Sequence, residues 1–324
     1  MHLRSLFVAL SLLLSAPALA GSPPAFISTL ETGHPLAGKV WDPQTKAFVA
    51  IDELVRTAAA ADVVILGETH DNPDHHTLQA WILRHLIAAG RKPAVAFEML
   101  DSSQREALAR HLKDRPGDDA GLGAAVEWEK TGWPDWALYR PIADAALSAG
   151  LPILTANLSK DETRQLTKNT FPAATAHHLG LDKPLPPAVQ QGMEREIKSS
   201  HCDMLPDKSL PAMVQIQRAR DSVMAHAIVE GIAARKSAVL IAGAGHARFD
   251  RGVPAHLATI AAGHQVFSIA FIEVQSDKNL PAMYADLYET EQLPFDMVWF
   301  TPRSQREDQC EAFRRHMEKK KLGQ

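Results

Sequence analysis

The sequence predicts an α/β fold, a mostly parallel sheet flanked by helices with a smaller inserted helical lobe. Apolar runs of strand length alternate with stretches of helical spacing, the pattern of βαβ units. Two of those runs, Val63-Val64-Ile65-Leu66 and Ala238-Val239-Leu240-Ile241-Ala242, break at a glycine and deliver a histidine three residues later. Hydrophobic residues make up 46% and charged residues 22% of the chain, ordinary for a globular protein.

The elements follow in order. His2 and Arg4 precede an apolar stretch from Leu6 to Leu14, then Ser15-Ala16-Pro17 and Ala18-Leu19-Ala20. That is a secretory signal over 1–20, cut after Ala20. The apolar stretch is too short to span a bilayer. No cysteine follows it for lipid attachment, so residues 21–324 are expected to be exported and soluble, periplasmic in a host with two membranes. They suffice for a single α/β domain with a helical lobe. Gly38 to Val49 reads as a hairpin around Asp42-Pro43, and Asp52 as the cap of a helix to about Ala61. The Val63 strand comes next. Asp71-Asn72-Pro73 starts a helix to Ala89 whose buried stripe is Leu78, Ile82 and Leu86.

Pro93 to Phe97 is a strand ending at Glu98, followed by a helix over about 102–113. A loop leads to Trp128, Trp133, Trp136 and Tyr139, and a helix ending near Gly150 precedes the strand Pro152 to Ala156. From about 161 to 211 the chain has helical patches and many prolines but no buried strand, which defines the lobe. A long helix over about 209–235 returns to the Ala238 strand, and 266–274 and 297–300 are late strands.

A formal net charge of -4 offers no broad electrostatic case for nucleic acid. Arg314-Arg315 and Lys319-Lys320-Lys321 read as a solvated terminal helix. In an oxidising compartment the two cysteines, Cys202 and Cys310, are expected to pair. The alternative, Cys202 as a nucleophile activated by His201, is disfavoured because neighbours in an extended segment point apart.

In open α/β sheets ligands bind beyond the carboxyl ends of the strands. Glu68 and His70 are two apart at one such end, and share a face if the backbone stays extended. Glu98 ends the next strand and His246 follows the later one. Imidazoles mixed with carboxylates suit a divalent transition metal, so Glu68, His70, Glu98 and His246 are the candidate metal ligands. The bland reading is that the glycines shape turns and the histidines bond locally. On the long helix Met213, Gln217, Arg220, Met224 and Ile228 share a face, with Asp221 one step round. Arg220 therefore needs an anion, either an internal carboxylate such as Glu98 or Asp221, or one on a ligand. His75 and His76 lie in the first turn of the helix after Gly67-Glu68-Thr69-His70, where free N–H groups favour an anion, although His75 reads better as a solvated surface residue. Arg248 and Arg251 add positive charge near His246. Phosphate-loop, Gly-x-Ser-x-Gly and His-Glu-x-x-His motifs are absent. So is Cys-x-x-Cys-His, which excludes covalent c-type haem. Gly243-x-Gly245 lacks the third glycine of a dinucleotide loop.

Taken together, several segments resemble the ChaN family of haem-binding uptake proteins, within the Tiki-like superfamily. They are 65–73 with His76, Phe97-Glu98-Met99, 133–142, His201-Cys202 with Leu205-Pro206, 217–221, and 243–246 with 250–254. The resemblance implies an α/β sheet with a helical lobe and an exported protein of haem and iron acquisition. It further implies non-covalent haem between two subunits of a homodimer, and envelope transport components as partners. Within the family an axial tyrosine comes from one subunit, with histidine and lysine near the propionates of the other. Of the three tyrosines, Tyr139, Tyr284 and Tyr288, Tyr139 is the candidate ligand because tryptophans surround it. His76, Arg220 and Arg251 are the candidates for the propionates. The wider superfamily implies a rival, a metal-dependent hydrolase of protease or esterase type. In it Glu68 or Glu98 would be the general base, with His70 and His246 ligating or polarising. A third option is a binding scaffold whose cleft merely stabilises the fold.

Overall fold

The computed structural model describes residues 21–321, so the signal segment 1–20 lies outside the described residues. The chain opens with the hairpin β1 (Val40–Asp42) and β2 (Ala47–Val49), then α1 (Ile51–Ala60), β3 (Val63–Glu68), α2 (Pro73–Ala88) and β4 (Ala94–Asp101). Next come α3 (Arg105–Asp114), α4 (Asp119–Ala125), α5 (Trp136–Ser148) and β5 (Ile153–Asn157). Between β5 and the long helix α9 (Leu210–Arg235) lie α6 (Lys160–Thr167), α7 (Ala173–His178) and α8 (Pro187–Ser200), with no strand. The chain closes with β6 (Ala238–Gly243), α10 (Val253–Ile260), β7 (Val266–Glu273), β8 (Met297–Thr301) and α11 (Gln309–Lys321).

The strands form one sheet in the order β2-β1-β8-β7-β3-β6-β4-β5. The six strands from β8 to β5 run parallel, and the hairpin adds an antiparallel edge. This is the α/β architecture expected. One start and one end differ from expectation. Asp52 lies inside α1, whose cap residue is Ala50. β4 runs on to Asp101, so Glu98 sits within the strand rather than at its end.

Period-2 alternation sends side chains to two separate cores. Val64, Leu66, Val239, Ile241, Val95 and Phe97 pack under α1, α2 and α5. Val63, Ile65, Ala238, Leu240, Ala242 and Ala96 pack under α9 and α10 on the other face. By the same parity Glu68 belongs to the first face and Glu98 to the second. The link from β3 to β4 passes over β6, and the link from β6 to β7 passes back over β3. The loops after β3 and β6 therefore part in opposite directions, leaving a crevice at the strand ends.

The end of α8 is tied to α11 by the disulfide Cys202–Cys310, with Cα atoms 5.6 Å apart, ordinary for such a bond. That pairing leaves Cys202 no thiol with which to act as a nucleophile. Among the described residues no helix is long and apolar enough to cross a membrane.

Candidate functional site

β3 and β6 are hydrogen-bonded neighbours, with Glu68 opposite Gly243, so the two Gly-x-x-His turns emerge side by side. Glycine is needed at both starts because of close approach. A Cβ on Gly67 would lie 2.8 Å from Ala247 Cβ and 2.9 Å from Ala244 Cα. On Gly243 it would lie 2.9 Å from His70 Nε2.

His70 caps the sheet edge and reaches acids from both faces. Its Nδ1 is 2.9 Å from Glu68 Oε1, and its Nε2 is 3.9 Å from Glu98 Oε2. On the first face, His76 Nδ1 lies 2.7 Å from Glu68 Oε2, and Tyr139 donates its hydroxyl to Glu68 Oε1 at 3.1 Å. On the second face the Gly243 N–H donates to Glu98 Oε2 at 2.7 Å. His246 completes the row, with Nε2 at 3.3 Å from Glu98 Oε1 and Nδ1 at 2.6 Å from Asp221 Oδ1. The amide of Gln217 lies against the His246 ring, 3.2 and 3.3 Å from its two nitrogens. The result is a chain of alternating acids and imidazoles across the crevice.

Their charges reinforce one another. Burial opposes ionisation of Glu68, but His76 and His70 beside it hold its carboxyl down at about 2. Burial likewise opposes the charge on His246, yet Glu98 and Asp221 raise it to about 10. Glu98 is held well below the usual carboxylate range by His246, His70 and the Gly243 amide, against its burial. His70, its side chain 33% exposed, is raised against desolvation by Glu98 and Glu68. Among the described residues His70 is the most exposed member of this row, and Trp133 lies 4.8 Å from its ring.

The four expected metal donors thus converge, but they are engaged with one another. Among the described residues no group of three or more His, Cys, Asp or Glu side chains is arranged to hold a metal ion. The donor set as folded does not fit a metal.

Other expectations are corrected. Tyr139 is fully buried, and its phenol is pushed far up by burial and by Glu68, so it has no route to a ligand in the crevice. Trp128 and Trp136 pack against each other, and Trp128 against Tyr139, as core, leaving Trp133 alone at the opening. His76 is buried and donates from Nε2 to the His70 carbonyl. It stands behind Glu68 and cannot meet a propionate. His75 is no surface residue. It accepts from the Thr69 amide and donates to Thr301 Oγ1, and burial lowers it to about 3. The N-terminus of α2 is closed by Asn72, which accepts from the amides of Asp74 and His75. Arg248 is buried and saturated by Asp250, Glu196 and the Tyr288 carbonyl, so it adds nothing to a rim.

Two contiguous hollows meet at Glu196, Gln217 and Gly245. One, about 610 Å3, opens over His70, His246 and Trp133. The other, about 460 Å3, lies between α8 and α9 and has Met193, Ile197, Met213 and Ile216 as apolar walls. Arg220 and Arg251 both line it. Arg251 is ion-paired with Glu196. Arg220 makes no ion pair or hydrogen bond among the described residues, and its Nε is buried without a partner. The internal carboxylates expected for it are committed elsewhere, Asp221 to His246 and Glu98 to His246 and Gly243. Sequence reasoning named Asp221 as a partner for Arg220 and missed its pairing with His246. The signal was there, since Gln217 and Asp221 are four apart on α9 and face the same way. His201, named in sequence as a disfavoured helper of Cys202 and within one of the segments that carry the resemblance, also lines the hollow.

Residues 54–257 match the family described as haem-binding uptake, Tiki superfamily, ChaN. A structure of ChaN from Campylobacter jejuni, described with cofacial haem binding, is 22% identical, with a TM-score of 0.63 over 80% of this chain and 95% of that one. At that identity the likeness shows the fold. An erythromycin esterase in its open conformation is 13% identical, with a TM-score of 0.46 over 84% of this chain and 99% of that one. No curated protein matches.

Proposed function

The chain belongs to the haem-binding uptake family ChaN of the Tiki superfamily, and from that premise we propose that it binds haem non-covalently in the hollow between α8 and α9. One observation carries the placement: Arg220 lines this apolar-walled cavity, makes no ion pair or hydrogen bond among the described residues, and has its Nε buried without a partner. Arg220 is half-buried, and a guanidinium whose Nε is withdrawn from water without a partner favours a ligand with a carboxylate, here on an apolar body. Haem has both. The cavity volume of about 460 Å3 falls within the range typical of cofactor sites. Arg220 holds one propionate in this reading, Arg251 with its partner Glu196 lies at the same wall, and the methionine and isoleucine side chains exclude water from the ring faces. When bound, haem supplies an iron centre that is carried rather than used.

Export through the 1–20 segment to the periplasm is part of the proposal. The disulfide supports it, because such bonds persist in oxidising compartments. A homodimer enclosing haem and hand-over to envelope transport components complete the reading. Haemin titrated into the purified oxidised protein should produce a shifted Soret band saturating at a fixed stoichiometry. No shift at stoichiometric haemin overturns the proposal, and size-exclusion chromatography with and without haemin tests the dimer.

The acid–imidazole row favours a second reading, a hydrolase. His70, backed by Glu68 and open to the larger hollow, can give or take a proton from bound substrate or water. Because Glu68 and Glu98 favour its protonated ring, its natural role is the acid. Turnover of an activated ester, with and without added divalent metal, lost in His70→Ala, tests this. An inactive wild-type protein removes it.

A further inference from the structure

The smaller hollow contains an imidazole with an uncommitted lone pair. His201 directly follows α8, and its Nδ1 lies 2.7 Å from the Ile197 carbonyl. A carbonyl can only accept, so Nδ1 carries the proton and, in the neutral ring, Nε2 carries the lone pair. Among the described residues Nε2 makes no hydrogen bond or ion pair, and the residue lines the same cavity as Arg220. An N–H given to a backbone carbonyl is the arrangement that orients a metal-ligating histidine and makes its other nitrogen more basic.

The turn bearing this ring is held in place at some expense. Cys202 and Asp203 both adopt left-handed φ values, 58° and 56°, unusual for two consecutive non-glycine residues. The disulfide to Cys310 pins that turn to α11, and Phe313 of α11 packs against the His201 ring at 5.7 Å.

Other candidate iron donors fare worse. Tyr139 is sealed behind Glu68. Tyr284 is buried and accepts from the Gln275 amide. His246 has both nitrogens facing carboxylates, and His70 sits between two acids that favour its protonated ring, which has no lone pair to donate. Tyr288 borders the larger hollow but packs edge-on against Phe295 and beneath Arg248.

We propose that His201 is the axial ligand of haem iron, through Nε2, in the cavity whose anion is taken by Arg220. This rests on the haem reading above and departs from the tyrosine expected from sequence.

The test uses the full oxidised chain with haemin. His201→Gly should change the Soret and visible bands and weaken haemin binding by more than roughly tenfold, a loss that even outer-shell partners of a metal produce. Added imidazole should restore the wild-type spectrum, which a merely structural role would not allow. Tyr288→Phe and Tyr139→Phe should leave the bands unchanged. An unaltered spectrum in His201→Gly, or no recovery with imidazole, overturns the assignment while leaving haem binding intact. If that variant does not fold, the wild-type protein decides. Its ferrous form must show an iron–imidazole stretching band that shifts with 15N-histidine and survives His70→Ala, and absence of that band overturns the assignment. Failure of the wild-type protein to bind haemin would instead remove the haem reading itself.

Discussion

Replacing His246 with glutamine should remove much of the alkaline instability of this protein. The imidazole is buried between Glu98 at 3.3 Å and Asp221 at 2.6 Å, and those charges raise it from its ordinary 6.5 to about 10. Between these two values the folded protein holds a proton that the unfolded chain has released. Stability from this group is therefore complete below pH 6.5 and declines as pH rises towards 10, by about 1.4 kcal/mol per pH unit. The whole shift sets an upper limit of about 5 kcal/mol. At pH 7 the variant leaves two acids facing each other, so it should already be destabilised by about 3–5 kcal/mol, as when one partner of a buried pair is removed. Urea unfolding of both proteins from pH 6 to pH 10 reads this directly. The wild-type midpoint should fall across the range, the variant should fall less steeply because only His70 of this row still releases a proton there, and the curves should approach each other near pH 10. Parallel curves, with the same slope in both proteins, would refute the charge assignment, because groups common to both cancel in the difference.

Acid should act through a different histidine. His75 is held neutral by burial, lowered from 6.5 to about 3, so stability should fall as pH drops below 6.5, and His75→Gln should flatten that limb in the same urea series. Gly243→Ala should displace the His70 ring, since the new Cβ would lie 2.9 Å from His70 Nε2. The His70 titration followed by NMR should move while far-ultraviolet circular dichroism does not. Removing the disulfide in a Cys202→Ser/Cys310→Ser protein opens a loop spanning 108 residues and should cost about 2–5 kcal/mol in urea unfolding. Arg220→Ala should raise the haemin Kd by about ten- to a hundredfold, the loss expected for one charge-assisted hydrogen bond, and an unchanged Kd would move the propionate elsewhere.

The legibility of the site follows from parity and sheet neighbours. Glu68 and His70 were readable as a pair because two residues of near-extended backbone bring them to one side, and they meet at 2.9 Å. Glu98 was readable as a strand-end acid. That it serves the opposite face of the sheet depends on its odd-even relation to Glu68 across three strands, which sequence distance does not encode. His75 looked like a surface residue because it opens a helix. Residues 26–28 cross that opening, with the Ile27 and Ser28 amides donating to Asp74, and it is buried. Tyr139 drew attention through its tryptophan neighbours, and those tryptophans are what bury it.

By itself the sequence determined the alternation of strand and helix, the two glycine-histidine turns, the cysteine pair and the family. All of these reside in local periodicity, in motifs of a few residues, or in a count. Tertiary structure alone decided that β6 inserts between β3 and β4, which brings residues 70, 98 and 246 into one row. It also decided that Arg220 stands unpaired among the described residues in a hollow that His201 also lines. Contacts of that kind depend on which distant segments the assembled sheet makes neighbours, and on which charges are left over once every nearer pair has formed.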